Sequence, residues 1–324
     1  MNRHVRRLWR PALGAAVLAV VLWQTGAGPF VDGVRSLDAT TLVLGALLTL
    51  GLTLAGAWRW RVVADGLGVG LGMGTAVASC YRAQFLNVTL PGGVLGDVHR
   101  GVRHGLDAGS TSRGLRSVLW ERVAGQVVQA VIALAVLLVL PSPVQAWMPV
   151  VLVATATAVA VCFACAPALR RRAGRRFGAL RRAVREDVRN GVLRHGAWQV
   201  VLLASTLAVA GHVATYFVAA RAVGVSASTL TLLPLVMLVL VAAALPVNLA
   251  GWGPREGMAA WVFGAAGLGV DQGVAAATAY GAIVLVASLP GLVVLLVAGT
   301  RRAPRPAAAV AVAGAPGVGG GADG

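Results

Sequence analysis

Residues Asn87–Gly105 read NVTLPGGVLGDVHRGVRHG, and this stretch decides the fold. It holds five glycines, one proline, one aspartate, two histidines and two arginines. Yet it directly follows an apolar run in a chain that is 58% hydrophobic. Pro91, Gly92 and Gly93 break any helix that enters them, and the sequence predicts a restart near Gly96 and Asp97, with Asp97 as the N-cap. Non-helical backbone survives at membrane depth only where protein or water covers it. A charge there costs about 2.5–3.5 kcal/mol on insertion scales, so Asp97 and Arg100 are expected to face a cavity or a partner.

The surroundings make the membrane setting plain. Mean hydropathy is +0.79, and only 12% of the residues are charged. Several apolar runs approach or exceed the roughly 20 residues needed to cross a bilayer. The pattern predicts an all-α polytopic membrane protein. Six runs have the character of full spans, at about 11–30, 39–58, 117–140, 149–169, 197–220 and 274–299. The start, MNRHVRRLWRPALGAAVLAVVLW, has a basic region and an apolar stretch with no small-residue cleavage site after it, and is read as a retained first span.

Two further apolar segments, about 75–95 and 230–266, carry Pro and Gly near their middles. Arginine clusters lie at Arg3–Arg10, Arg59–Arg61, Arg100–Arg116, Arg170–Arg194 and Arg301–Arg305, whereas 31–38, 141–148 and 221–229 carry only Arg35 and Arg221. With every cluster placed in the cytoplasm, both broken segments must enter and leave on one face, and so are re-entrant. Each half then has three full crossings, so the second half (about 149–299) is inverted relative to the first (about 11–140). Both termini fall in the cytoplasm. The alternative is eight ordinary spans with two kinks. Residues 1–302 form one transmembrane domain in this scheme, and 303–324 a disordered Ala/Pro/Gly tail. Residues 175–194 have the spacing of an arginine-rich surface helix, with a plain cytoplasmic loop as the alternative.

The formal charge of +17 does not point to nucleic acid, because no aromatic platform accompanies it. The pair Cys162 and Cys165 lies in an apolar run without further ligands, and Cys80 stands alone, so packing roles are expected. No D-x-D or His-rich motif suggests a metal, and the pattern names no cofactor or catalytic residue.

The second break, Leu245–Trp261, reads LPVNLAGWGPREGMAAW. Pro246 stops one half-helix, Gly251 and Gly253 turn the chain, and Pro254 suits the first position of a new helix. Arg255 and Glu256 then fall in the first turn, where a helix N-terminus and a planar guanidinium suit a phosphate; the alternative is that Arg255 pairs with Glu256 or Asp97 and locks the fold. Arg100 is the next candidate for the phosphate. Glu121 and Arg122 open the span at 117, at a cavity mouth or simply at the interface.

Asn87, Pro91, Gly96, Asp97 and Arg100, then Glu121 and Arg122, then Pro246, Gly251, Gly253, Arg255, Glu256 and Gly257 resemble the transmembrane region of the lysylphosphatidylglycerol synthase family, also called flippase-like. The resemblance spans about 11–300. Pro254 stands where an apolar residue is usual, and Asn248 where a small hydroxyl residue is common. The resemblance implies a flippase-like domain in the cell membrane, with relatives linked to aminoacylated phosphatidylglycerol and polyprenyl-phosphate sugars. Only a short tail follows Arg302, so synthase activity is not expected. The expected partner is an anionic membrane lipid, met by Asn87, Asp97, Arg100, Glu121, Arg122, Asn248, Arg255 and Glu256. The competing functions are a membrane enzyme acting on a lipid phosphate, and a non-catalytic partner of a lipid-modifying enzyme.

Overall fold

The computed structural model describes residues 5–150, 157 and 174–300. Among these the chain is helical, with no strand. The expected span at 149–169, Cys162 and Cys165, Arg301–Arg305 and the 303–324 tail lie outside or almost wholly outside the described residues.

Helix α1 covers Val5–Thr25 and α2 covers Gly28–Arg35. They meet at 96°, so the run expected as one span over 11–30 ends at Thr25. Gly26 causes the bend with φ +71, a left-handed conformation open to glycine, and Pro29 then starts α2. Helix α3 (Ala39–Gly66) begins at Asp38, whose carboxylate accepts the Thr41 N–H at 2.7 Å. It outruns the expected 39–58, because neither Pro nor Gly stands between Trp58 and Gly66.

Helices α4 (Met73–Thr89) and α5 (Leu95–Asp107) flank the first break. Gly92 and Gly93 take φ +95 and +61 there. The pair folds back on itself: Gly74 and Thr75 at the start of α4 line the same pocket as Arg103 and Asp107 near the end of α5. Helix α5 starts at Leu95, with Val94 as N-cap, so Asp97 is a first-turn residue and not the cap. The reason is that Asn87, on α4, accepts the Gly96 N–H at 2.8 Å, while the Asp97 carboxylate turns toward arginines. Gly96, expected in the break, lies inside α5, where its bare Cα rests against the Ala83 backbone.

Helix α6 covers Thr111–Val139, and α7 covers Gly174–Asp187, so the arginine-rich segment does form a helix. A π-helical turn, Val188–Val192, follows it. Helix α8 is Ala197–Ala222. Then come α9 (Thr229–Ala243) and α10 (Pro254–Ala265), on either side of the second break. Leu232 near the start of α9 and Phe263 near the end of α10 share one core cluster, so this pair also folds back. Helices α11 (Val270–Ala287) and α12 (Leu289–Thr300) complete the chain, with only Ser288 between them.

Among the described residues, four stretches are long and apolar enough to cross a membrane: Ala39–Gly66, Thr111–Val139, Ala197–Ala222 and Val270–Val297. Counting the bent α1–α2 pair gives five. The main core joins α8, α9, α10 and α11 around Tyr216, Leu235, Val236, Phe263 and Ile283. A second cluster packs Trp60, Ala64, Val69, Ala76 and Val118 from α3, α4 and α6. Small residues let backbones approach, as membrane helix packing requires: Gly14 of α1 seats against Val247–Leu249 and Gly253.

Candidate functional site

The tips of the two breaks touch. The Gly92 N–H donates to the Asn248 carbonyl at 2.9 Å, and Gly93 lies against the Asn248 side chain. Gly251 packs on Val88. Pro91, Gly92, Gly93 and Pro246, Gly251, Gly253 therefore form one joint, with Pro254 at the first position of α10 as the sequence predicts.

A network of charges lies beside the first tip. Arg100 donates from Nε to Asp97 at 2.9 Å and from Nη2 to Glu121 at 2.6 Å, with Nη1 toward the Cys80 sulfur at 3.5 Å. All three guanidinium nitrogens of Arg100 are thus engaged within the protein. Its carbon centre stacks 4.6 Å from the Trp60 ring, and Trp60 Nε1–H donates to Ser117 at 3.1 Å. Glu121 receives a second arginine, Arg59, from Nε at 2.9 Å and also from Nη2, while Arg59 Nη1 donates to Ser205 at 2.9 Å. Asp97 accepts from Asn87 Nδ2 at 2.9 Å and pairs with Arg122. Exposure is 7% for Asp97, 4% for Arg100 and 2% for Glu121. Three guanidiniums thus face two carboxylates, which leaves one positive charge in excess. The Arg122 side chain is 44% exposed, so the excess charge reaches the surface of the cluster through that residue.

The second tip differs. Arg255 donates from Nε and Nη2 to one oxygen of Glu256, at 2.8 and 2.5 Å. The other oxygen accepts the Gly253 N–H at 2.7 Å. Glu256 is fully buried and Arg255 nearly so. The α10 N-terminus therefore meets an internal carboxylate, and the Arg255 fork sits between Trp252 (5.2 Å) and Tyr280 (5.4 Å), against Gly281. No ion pair joins Arg255 to Asp97 among the described residues; Asp97 holds Arg100 and Arg122, and Arg255 holds Glu256.

Five of the residues expected to meet a ligand, Asn87, Asp97, Arg100, Glu121 and Arg122, thus gather in one network. Asn248 belongs to the joint, and Arg255 with Glu256 to a separate pair. Sequence reasoning missed Arg59 and Ser205. Arg59 sits in a cluster that serves equally well as a cytoplasmic charge signal, and Ser205 is one hydroxyl in an apolar helix. An arginine about two turns inside the end of α3 was the available clue.

These features define a helical membrane protein with two broken helix pairs joined at their tips and a buried ionic network beside the joint. The chain belongs to the lysylphosphatidylglycerol synthase transmembrane-region family, whose description matches residues 7–291. It is thereby a membrane protein related to lipid modification. No curated protein and no solved structure matches it.

Proposed function

We propose that this protein moves an amphiphilic lipid with a phosphate-bearing headgroup between membrane leaflets, in the manner of a flippase or transporter. The observation that carries this is the ionic network, with its one excess guanidinium and its half-exposed Arg122, beside the joint of the two breaks. A positive charge held by buried partners and open on one side attracts an anionic headgroup, and Arg122 offers a planar fork for its oxygens. Asn87, Asp97, Arg100 and Glu121 hold that charge in place. Arg255 and Glu256 fix the second tip, and Asn248 links the two tips.

In this reading residues 1–302 act as one domain, with six full spans, two re-entrant pairs, an inverted second half from about 149, and both termini in the cytoplasm. The domain resides in the cell membrane. The fold-back of α4 on α5 supports re-entry, since positions 72 and 108 then share a face. Single cysteines there, in a background without Cys80, Cys162 and Cys165, are expected to resist an impermeant thiol reagent added outside the cell; labelling of either overturns this topology.

The function is tested in proteoliposomes with headgroup-labelled phosphatidylglycerol. Wild type is expected to speed exchange between leaflets above protein-free vesicles. Equal rates overturn the transport reading and favour a partner of a lipid-modifying enzyme.

A further inference from the structure

Away from the ionic network, α4, α5 and α12 enclose a pocket of about 530 Å3. One face of α4 lines it at helical spacing, with Thr75, Ser79 and Arg82. Arg82 is only 4% exposed, yet among the described residues its one hydrogen-bond partner is the Ser79 hydroxyl, 3.3 Å from Nη2. Its Nε is buried without a hydrogen-bond partner, and no carboxylate lies within ion-pair distance of it among the described residues. A guanidinium buried in this state carries a large desolvation cost, which an anion offsets. A second cation, Arg103, stands on the same pocket from α5, against one carboxylate, Asp107. His104 also reaches the pocket, but its Nε2 is taken by the Val69 carbonyl at 3.0 Å. The charges facing the pocket therefore leave one positive charge in excess. Opposite them stand Val293 and Val294 of α12, with Val293 59% exposed.

We propose that this pocket is a second anion site and that it binds a phosphate group, with Arg82 as its floor, Arg103 at its lip, and the Thr75 and Ser79 hydroxyls as further donors. A phosphate suits it better than a carboxylate. Its oxygens point in several directions and so meet donors arriving from two helices at once. The volume exceeds what a bare phosphate fills and falls within the range of small-molecule pockets, so a headgroup around the phosphate also fits. The site is separate from the Arg59–Arg100–Glu121 network, and it stands whether or not the protein moves lipid.

The test uses the full chain, purified in a non-ionic detergent, with two probes: inorganic phosphate and short-chain phosphatidylglycerol. Binding is read by titration and located by hydrogen–deuterium exchange. Residues 73–83 and 103–107 of the wild type are expected to gain protection. Arg82→Gln is expected to weaken the probe by roughly 10- to 100-fold, the size of one lost charge-assisted contact, and to abolish that local protection. Arg82→Lys is expected to fall between the two. Protection by phosphatidylglycerol alone assigns a lipid headgroup; protection by inorganic phosphate as well assigns a free phosphate ligand; either supports the site. If Arg82→Gln does not fold, Arg103→Gln and Thr75→Val replace it, since both residues are exposed, and each is expected to weaken binding several-fold. The proposal is overturned if neither probe protects these segments, or if binding is unchanged in Arg82→Gln or in both substitutes.

Discussion

The two breaks begin from similar sequences, each a proline and glycines followed by charges, yet their charges are arranged in different ways. At the second tip the arginine and its acid are neighbours in sequence, Arg255 and Glu256, both buried, and they satisfy each other and the α10 N-terminus. At the first tip the acids and arginines come from three helices, α3, α5 and α6, with Asn87 of α4 and Ser205 of α8 bonded to them. That network ends in excess positive charge and a half-exposed Arg122. The second tip is closed and balanced; the first is open and unbalanced. The difference teaches that the same local signal closes into a balanced lock at one tip and leaves an open, positively charged network at the other.

Substitutions can break this comparison, and the largest effect is expected at Glu121. Glu121→Gln leaves Arg59 and Arg100 buried with one charge partner fewer each. Removing one partner of a buried pair costs about 3–5 kcal/mol. Thermal unfolding in detergent should place this variant at or beyond the top of that range, with little folded protein recovered. Near-wild-type stability would show that the network is not a structural unit.

Glu256→Gln comes next. It keeps an acceptor for the Gly253 N–H but unpairs a single arginine, so about 3 kcal/mol is expected. If it costs as much as Glu121→Gln, the distinction between a local lock and a network drawn from several helices fails. Gly92→Ala sharpens the contrast at the joint itself. Open space surrounds the Gly92 Cα, so a methyl group there pays only for the left-handed backbone, about 1–2 kcal/mol. Gly93→Ala adds a collision with Asn248 and should cost more in the same unfolding experiment.

The local parts of this molecule were legible in its sequence, and the distant parts were not. Pro91, Gly92, Gly93 and Pro254 act on their own backbone, so the breaks and the start of α10 follow from chain geometry alone. The choice of partner does not. Arg59 meets Glu121 across 62 residues and Ser205 across 146, and nothing in either neighbourhood names the other. Asp97 shows the two levels in competition. It is a good cap by type, but Asn87 takes that duty from α4 and frees the carboxylate for Arg100 and Arg122. The bend after Thr25 was readable in Gly26 and Pro29, although the apolar run masks it. Arg82 gave no signal, because an arginine in an apolar helix declares neither its burial nor its lack of an acid.

The smallest stability effect and the most direct functional one coincide at Arg122. Its pair with Asp97 is half-exposed, so Arg122→Gln is expected to cost only about 0.2–1 kcal/mol. The decisive measurement is leaflet exchange of headgroup-labelled phosphatidylglycerol in proteoliposomes, for wild type, Arg122→Lys and Arg122→Gln, each normalised to folded protein. The account predicts that Arg122→Gln folds and loses most of the exchange, with Arg122→Lys in between because it keeps the charge without the fork. Exchange at the wild-type rate in folded Arg122→Gln would contradict the claim that the open tip reads the headgroup.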